Sequence, residues 1–188
     1  DADAGCKSLN FDGDDLVQVP HSDSLNLTGD TTVEAWVRTE DYSNRVVFSK
    51  NDDWSSGYHL RFDTVSDAGY SPAIRWGQTD STSLDYFTET TDWVHIAVTT
   101  SETAGSVTIW IDGADSGSES FVATATTTEL LFGLDSFRGD GAFLGDIFAV
   151  RISDGVLYTT GFDPEEPSVT DSTVALWKYD GDAPTQFT

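Results

Sequence analysis

The chain has few features other than apolar burial that could hold its fold together. Its single cysteine, Cys6, excludes an intrachain disulfide, and it contains no methionine. The absence of methionine predicts a processed piece of a larger polypeptide. No apolar run reaches the roughly 18 residues of a membrane-spanning helix, and no positively charged leader precedes an apolar stretch. We therefore expect no membrane insertion and no retained signal peptide.

Basic residues are also scarce. The chain has 9 Lys and Arg against 33 Asp and Glu, which gives a formal net charge of -24. Because binding to nucleic acid or to anionic lipid requires a basic surface, the composition argues against both partners. Dispersed acidic residues favour solubility but repel one another unless cations screen them. Two explanations stay open: a saline or marine environment, or a domain with several calcium sites.

Sustained helical periodicity is missing as well. Short alternating or apolar runs are instead separated by clusters of Gly, Asp, Ser and Asn, which predicts an all-β chain of 1–188 that forms a single two-sheet antiparallel sandwich or jelly roll. Helix is expected only as a turn or two around 161–167. The predicted strands are 8–11, 16–19, 32–38, 45–50, 58–62, 73–77, 84–87, 93–99, 106–112, 120–123, 130–134, 143–152 and 174–179. The predicted core comprises Val33, Ala35, Val37, Val94, Ile96, Val98, Ile109, Ile111, Val150 and Ile152.

Five motifs, in order along the chain, carry a resemblance to a known family. They are Leu9–Gly13, Thr31–Val37, Trp93–Val98, Trp110–Gly113 with its Asp-Gly turn, and Asp146–Pro164. Together they resemble the laminin-G-like branch of the concanavalin A-like lectin/glucanase superfamily. The resemblance implies a concanavalin A-like sandwich and leaves the ligand open.

Catalytic residues are not evident. The glucanases of this superfamily carry Glu, Asp and Glu at alternate positions of one strand, and no Glu-x-Asp-x-Glu run is present here. A Gly-x-Ser-x-Gly nucleophile turn is also missing. His95 lies within a strand motif and is interpreted as a structural residue, packed in the sandwich and hydrogen-bonded to the backbone. We predict that the chain is not an enzyme.

Calcium is the strongest candidate cofactor. Asp12, Asp14 and Asp15 place three carboxylates in one turn, and calcium prefers such oxygen ligands. The family resemblance implies a further Asp in the closing strand, but Phe148 occupies that position and Asp146 would have to replace it. The alternative is a solvated acidic turn. The acidic loops 51–53 and 135–140 are weaker candidates.

Aromatic and acidic residues in the middle of the chain could form a sugar-binding face, because aromatic rings stack on sugar C–H faces and carboxylates accept sugar hydroxyls. Trp54 stands out, since it lies in a polar loop, although a loop Trp can also cover the edge of a core. The predicted ligand-binding residues are Asp52, Asp53, Trp54, Tyr58, Trp76 and Tyr86. The remaining tryptophans, Trp36, Trp93, Trp110 and Trp177, are predicted to pack in the fold.

These observations predict a noncatalytic lectin-like module of a larger secreted or surface-displayed protein, extracellular or on the cell surface. Its expected partner is a glycan or cell-surface polysaccharide, within an adhesin or a polysaccharide-active protein. An alternative is a structural or protein-interaction domain of a surface or phage-tail assembly, because the segment 158–162 also resembles phage-tail and surface proteins. A diverged glucanase is the third option.

Overall fold

Two antiparallel sheets pack face to face in the computed structural model, which describes residues 8–53, 56–64, 70–76, 79–82, 91–120, 124–137, 139–179 and 184–187. At residues 64, 70–76, 79–82 and 184–187 the structure describes the backbone alone. Cys6 lies outside the described residues. The predicted all-β antiparallel sandwich is confirmed. Among the described residues the only helical element is a single 3-10 turn, Asp23–Leu25.

Fourteen strands are described. In chain order they are β1 Leu9–Asp12, β2 Val17–Val19, β3 Thr31–Arg38, β4 Arg45–Lys50, β5 Tyr58–Thr64, β6 Tyr70–Trp76, β7 Thr79–Thr82, β8 Val94–Ser101, β9 Ser106–Ile111, β10 Ala114–Ser120, β11 Leu130–Phe132, β12 Leu144–Asp154, β13 Thr173–Tyr179 and β14 Pro184–Phe187.

The larger sheet has eight strands in the order β10-β9-β8-β3-β12-β13-β14, with β1 paired to the first part of β12. The smaller sheet has six strands in the order β2-β11-β4-β5-β6-β7. The long strand β12 therefore joins the beginning of the chain to its end, since β1 and β13 pair with successive parts of the same edge. This arrangement brings together side chains that are far apart in the sequence.

The core lies between the two sheets and follows from the period-two alternation of the strands. In β3, for example, Val33, Ala35 and Val37 are at most 1% exposed and face the smaller sheet. The predicted core residues are confirmed as buried, except that Ile111 is half-buried and packs at its margin. Phe48, Phe62, Leu130 and Phe143 complete the packing from the other sheet and the connecting segments.

The Asp-Gly turn between β9 and β10 has the predicted hairpin chemistry. Asp112 and Gly113 have φ values of 47° and 77°, the pair of positive angles required by a tight two-residue turn. The Asp112 carboxylate accepts a hydrogen bond from the backbone N–H of His95, at 2.9 Å. The turn is thereby tied to strand β8.

Three sequence-based expectations need correction. The segment 161–167 is extended and irregular rather than helical, because its backbone bonds to the large sheet: the N–H of Phe162 donates to the carbonyl of Gly113, at 3.0 Å. Strand β10 begins at Ala114, six residues before the predicted strand at 120–123, because the Asp-Gly turn reverses the chain at once. Strands β7 and β14 carry too few apolar residues to be predicted. The predicted strand 84–87 lies outside the described residues.

No helix in the described part of the chain is long and apolar enough to cross a membrane.

Candidate functional site

The residues predicted to bind a ligand, other than Tyr58, fall into three groups. Asp52 and Asp53 are exposed in the loop after β4. Trp76 is the last residue of β6, with its side chain outside the description. Trp54 and Tyr86 lie outside the described residues. The predicted aromatic face therefore stays a prediction at these positions.

Tyr58 does not belong to such a face. Its side chain is 2% exposed, packs against Phe48, and donates a hydrogen bond from its hydroxyl to the carbonyl of Leu25, at 3.2 Å. Burial also raises the pKa of the hydroxyl far above its usual range. Strand β5 lies between β4 and β6, and period two turns Tyr58 inward with Leu60 and Phe62. The assignment of Tyr58 to a ligand-binding surface is corrected to a core position.

A polar cleft lies at the end of the large sheet where β1, β3 and β12 meet. Its volume is about 740 Å³, and the residues that line it are Asn10, Arg38, Thr39, Glu40, Asp41, Thr91, Leu144, Gly145 and Asp146. All of these side chains belong to the described part of the chain. We call this feature the rim cleft.

One wall of the rim cleft is a hydrogen-bonded cluster around Asp146. Arg38 donates from Nε and Nη2 to Oδ2 of Asp146, at 3.2 and 3.0 Å. Ser8 and Asn10 donate to Oδ1, at 3.0 and 3.3 Å. The guanidinium of Arg38 also lies 4.9 Å from the centre of the Trp93 ring. The polar groups of this wall are held in position before any ligand arrives.

The backbone explains why these side chains meet. Asp146 is the register partner of Asn10 on one side and of Arg38 on the other. Next to it, Gly145 has φ of 143°, and a Cβ atom there would lie 2.2 Å from the carbonyl oxygen of Arg38. Only glycine permits this close approach of β12 to the end of β3. Trp93, predicted as a packing residue, lies half-buried against Phe148.

Asp41, which also lines the rim cleft, belongs to a second ion pair. Asp41 accepts from Arg45, and hydrogen bonds from the Arg45 guanidinium and from Ser43 lower the pKa of the Asp41 carboxyl to about 2. Arg45 also donates from Nη1 to the carbonyl of Ala142, at 2.8 Å. Glu40 also lines the cleft and is exposed. Three carboxylates and one arginine, Arg38, thus line the cleft. Arg38 and the nearby Arg45 each already have a carboxylate partner.

The predicted metal ligands Asp12, Asp14 and Asp15 lie together in the turn after β1, with carboxylate oxygens within 4.8 Å of one another. All three residues are exposed. The hydrogen bond between the side chains of Asp12 and Asp14 lowers the pKa of Asp12 and raises the pKa of Asp14. Carboxylates this close repel each other when they are ionised, and a bound metal ion could offset that repulsion.

Asp146 does not join this group in the described part of the chain. Its carboxylate is bound by Arg38, Ser8 and Asn10, two residues along β1 from Asp12 in the register. Phe148 is 9% exposed and packs on Trp93, so it serves as a packing residue. The exposed triad could hold a metal ion, but the predicted fourth ligand is engaged elsewhere.

A buried polar cluster lies on β3 and β12, farther from the rim cleft. Glu34, which is 2% exposed, forms an ion pair with Nη2 of Arg151 at 3.0 Å and accepts from the Tyr158 hydroxyl at 2.5 Å. Arg151 also donates to the carbonyl of Ser168, at 3.0 Å. The segment 155–168 covers the cluster, and Phe162 within it stacks on Tyr158. We call the cluster of Glu34, His95, Arg151 and Tyr158 the buried network.

His95 is packed as predicted, but its ring is not hydrogen-bonded. The residue is 1% exposed, and neither ring nitrogen has a partner among the described residues. Its Nε2 is 3.9 Å from Glu34, and its ring contacts those of Trp36 and Phe162. Burial and then the positive charge of Arg151 lower the pKa of His95 to about 4. The imidazole is therefore neutral at physiological pH and has a structural position.

The rim cleft and the loop of Asp52 and Asp53 lie at opposite ends of β4. The cleft residue Asp41 precedes this strand, and the loop follows its last residue, Lys50. Six residues at about 3.3 Å each separate the two sites by roughly 17 to 20 Å. A single short ligand would not contact both.

The comparisons with known proteins agree with this architecture. Residues 11–160 match the family described as the concanavalin A-like lectin/glucanases superfamily, in its laminin-G form. The chain belongs to this family. None of the curated proteins compared with the chain matches it.

Several solved structures share the fold at low sequence identity. A candidate carbohydrate-binding protein from Bacteroides ovatus superimposes with a TM-score of 0.71 at 16% identity, over 93% of this chain and 52% of that one. The chain thus spans about half the length of that relative. The pentraxin of Limulus polyphemus gives 0.64 at 13%, over 96% and 91%. The sialidase carbohydrate-binding module of Ruminococcus gnavus gives 0.58 at 12%, over 81% and 92%. These likenesses show the concanavalin A-like fold, and the structural neighbours include carbohydrate-binding and lectin-like proteins.

Sequence reasoning did not find the rim cleft. The sequence motifs indicate Asp146 only as a possible metal ligand, and they do not indicate Asn10 or Arg38 as site residues. Their meeting depends on the register of β1, β3 and β12, which pairs residues more than 100 positions apart. The usable signal was Gly145, a glycine inside a predicted strand, which indicates close approach of another backbone.

Proposed function

We propose that the chain is a noncatalytic glycan-binding module of a larger secreted or surface protein, and that the rim cleft binds the glycan. The observation that carries this proposal is the fixed polar wall of Arg38, Asn10 and Asp146 beside an open cleft of about 740 Å³. Sugars are recognised by such convergent donors and acceptors, and a wall held in place before binding loses little entropy. The carbohydrate-binding neighbours support the same class of ligand.

The electrostatics of the cleft favour binding over glycoside hydrolysis. A retaining or inverting glycosidase needs one carboxylic acid with a raised pKa beside a second carboxylate. In the rim cleft the pKa of Asp41 is instead lowered, and Asp146 is neutralised by Arg38. Asp41 is therefore suited to hydrogen bonding with sugar hydroxyls rather than to proton donation.

The loop with Trp54, Asp52 and Asp53, together with Trp76 and Tyr86, is the second proposed location for a glycan. Since Asp52 and Asp53 follow the end of β4 that is remote from the rim cleft, single substitutions separate the two proposed locations. We expect Asn10→Ala to weaken glycan binding at the rim cleft and Trp54→Ala to leave it unchanged. The opposite result would place the ligand at the Trp54 loop.

The test is affinity electrophoresis and calorimetry against a panel of polysaccharides, with and without calcium. Gln18→Ala is the matched control for Asn10→Ala, because Gln18 is an exposed amide on β2 of the smaller sheet. If no polysaccharide binds, the proposal fails. Concentration-dependent self-association would then favour a structural domain of a surface or phage-tail assembly.

We also propose a saline environment for the parent protein, on the basis of the net charge of -24. Salt screens repulsion between exposed carboxylates, so the melting temperature should rise as sodium chloride increases from low concentration. A melting temperature that stays flat or falls would contradict this proposal.

A further inference from the structure

The charges of the rim cleft indicate which glycans it can accept. Three carboxylates line it, from Glu40, Asp41 and Asp146, whereas Arg38 is the only cationic side chain in its lining. Arg38 is already bound to Asp146, and the nearby Arg45 is bound to Asp41. Glu40 is an exposed residue of this lining.

An anionic sugar needs a cation that is free to pair with it. Arginine binds a carboxylate through two parallel N–H groups, and here Nε and Nη2 of Arg38 both point to Oδ2 of Asp146. A ligand carboxylate would therefore compete with an internal one at 3.0 Å. It would also approach Glu40 and Asp41, and like charges at close range disfavour binding.

The surroundings of the cleft add to this repulsion. Leu144, which lines the cleft, is the register partner of Asp12, so the exposed carboxylates of Asp12, Asp14 and Asp15 lie beside it. Charges act over about 10 Å at 0.1 M salt, which includes the adjacent turn. Neutral sugars meet no such penalty, because their hydroxyls donate to the carboxylates and accept from Asn10 and Arg38.

We infer that the rim cleft selects neutral glycans and rejects glycans that carry carboxylates or sulfates, and that the Arg38–Asp146 pair sets this selectivity. The inference rests on the proposed glycan-binding function and adds the class of ligand. Loss of the Asp146 charge would release the guanidinium of Arg38, and the same cleft would then accept an anionic sugar.

The experiment compares neutral galactan and laminarin with the same polysaccharides after oxidation of their primary hydroxyls to carboxylates. Polygalacturonate and alginate serve as further anionic probes. We expect the wild-type chain to bind at least one neutral probe. At low salt it should bind the oxidised form of that probe at least about tenfold more weakly. The difference should shrink near 1 M salt, where the screening length is about 3 Å.

The variant Asp146→Asn should gain affinity for the oxidised probe, and Asp154→Asn is its matched control, since Asp154 is an exposed residue at the far end of β12. Equal or tighter binding of the oxidised probe by the wild-type chain at low salt would overturn the inference while leaving glycan binding intact. Unchanged selectivity in a folded Asp146→Asn variant would overturn the role of the ion pair. Failure of every neutral and anionic probe would instead remove the proposed function, and the inference with it.

Discussion

Strands β3 and β12 carry two ion pairs of opposite orientation, only four positions apart on β3. At the rim, Arg38 of β3 pairs with Asp146 of β12, with side chains 39% and 18% exposed. Farther along, Glu34 of β3 pairs with Arg151 of β12, with side chains 2% and 10% exposed. The residues of each pair are register partners. The two ion pairs have the same strand geometry, but in the described part of the chain only the pair of Glu34 and Arg151 is covered by another segment.

That difference decides what each pair can do. The segment 155–168 closes over Glu34 and Arg151 and adds the Tyr158 hydroxyl and the Ser168 carbonyl as partners. Such a buried pair is costly to break, because either residue alone would be an uncompensated charge. The pair of Arg38 and Asp146 is partly exposed and borders the open cleft, so a ligand can contact it without displacing a covering segment. The buried network is part of the fold, and the rim pair is available for recognition.

The largest expected effect comes from breaking the buried pair. Glu34→Ala should lower the free energy of unfolding by about 3 to 5 kcal/mol, because Arg151 would remain buried without its carboxylate. Glu40→Ala, an exposed glutamate just beyond β3, should change it by no more than about 0.5 kcal/mol. The double variant Glu34→Met with Arg151→Met should be more stable than Glu34→Ala. Urea denaturation measures all three, and a loss below about 1 kcal/mol for Glu34→Ala would show that the network is dispensable.

Acid should weaken the same region through His95. The pKa of His95 is lowered from 6.5 to about 4 in the folded chain. Between these two pH values His95 binds a proton in the unfolded chain but not in the folded chain. Stability contributed by the neutral ring is complete above pH 6.5 and is lost as the pH falls toward 4. Each pKa unit corresponds to about 1.4 kcal/mol, which predicts a loss of roughly 2 to 3 kcal/mol over this range. Urea titrations of the wild type and His95→Gln at about pH 7 and about pH 4.5 would measure it. An equal loss in the variant would assign the acid sensitivity to carboxylates instead.

A further prediction concerns calcium binding by the exposed acidic turn next to the rim cleft. If Asp12, Asp14 and Asp15 bind calcium, chelation should lower the melting temperature, because an ion that binds only the folded chain stabilises it by mass action. Asp12→Asn should remove most of this shift, whereas Asp154→Asn should retain it. Calorimetry that detects no calcium uptake by the wild type would leave the triad as a solvated acidic turn.

The smallest expected effect on stability belongs to the rim pair. Asp146→Asn should change the free energy of unfolding by less than about 1 kcal/mol, because partly exposed ion pairs contribute little. Thermal denaturation is the measurement. A loss comparable to that of Glu34→Ala would mean that the rim pair also supports the fold, and the distinction between the two ends of β3 and β12 would fail.

Much of the fold could be predicted from the sequence because its signals are local. Alternating residues such as Val33, Ala35 and Val37 identify a strand and its buried face without knowledge of its neighbours. The positive φ angles of Asp112 and Gly113 were likewise implied by the Asp-Gly turn. The candidate site was harder to predict, since Asn10, Arg38 and Asp146 come from three separate motifs. Tyr58 shows the limit of composition, because an aromatic residue in a polar stretch looks like a ligand residue until its strand is placed between two others.

The sequence by itself determined the class of fold, the inward face of each long strand and the acidic charge, because these depend on residue type and short spacing. Tertiary structure decided which charges pair, which of the pairs is covered, and where the cleft opens. The pairing of β12 with β1 and β3 fixes contacts between residues more than 100 positions apart, and the path of 155–168 determines which part of that sheet meets water. Long-range register and burial are properties of the assembled sandwich, so Glu34 became structural and Arg38 became available to a ligand although both lie on the same face of β3.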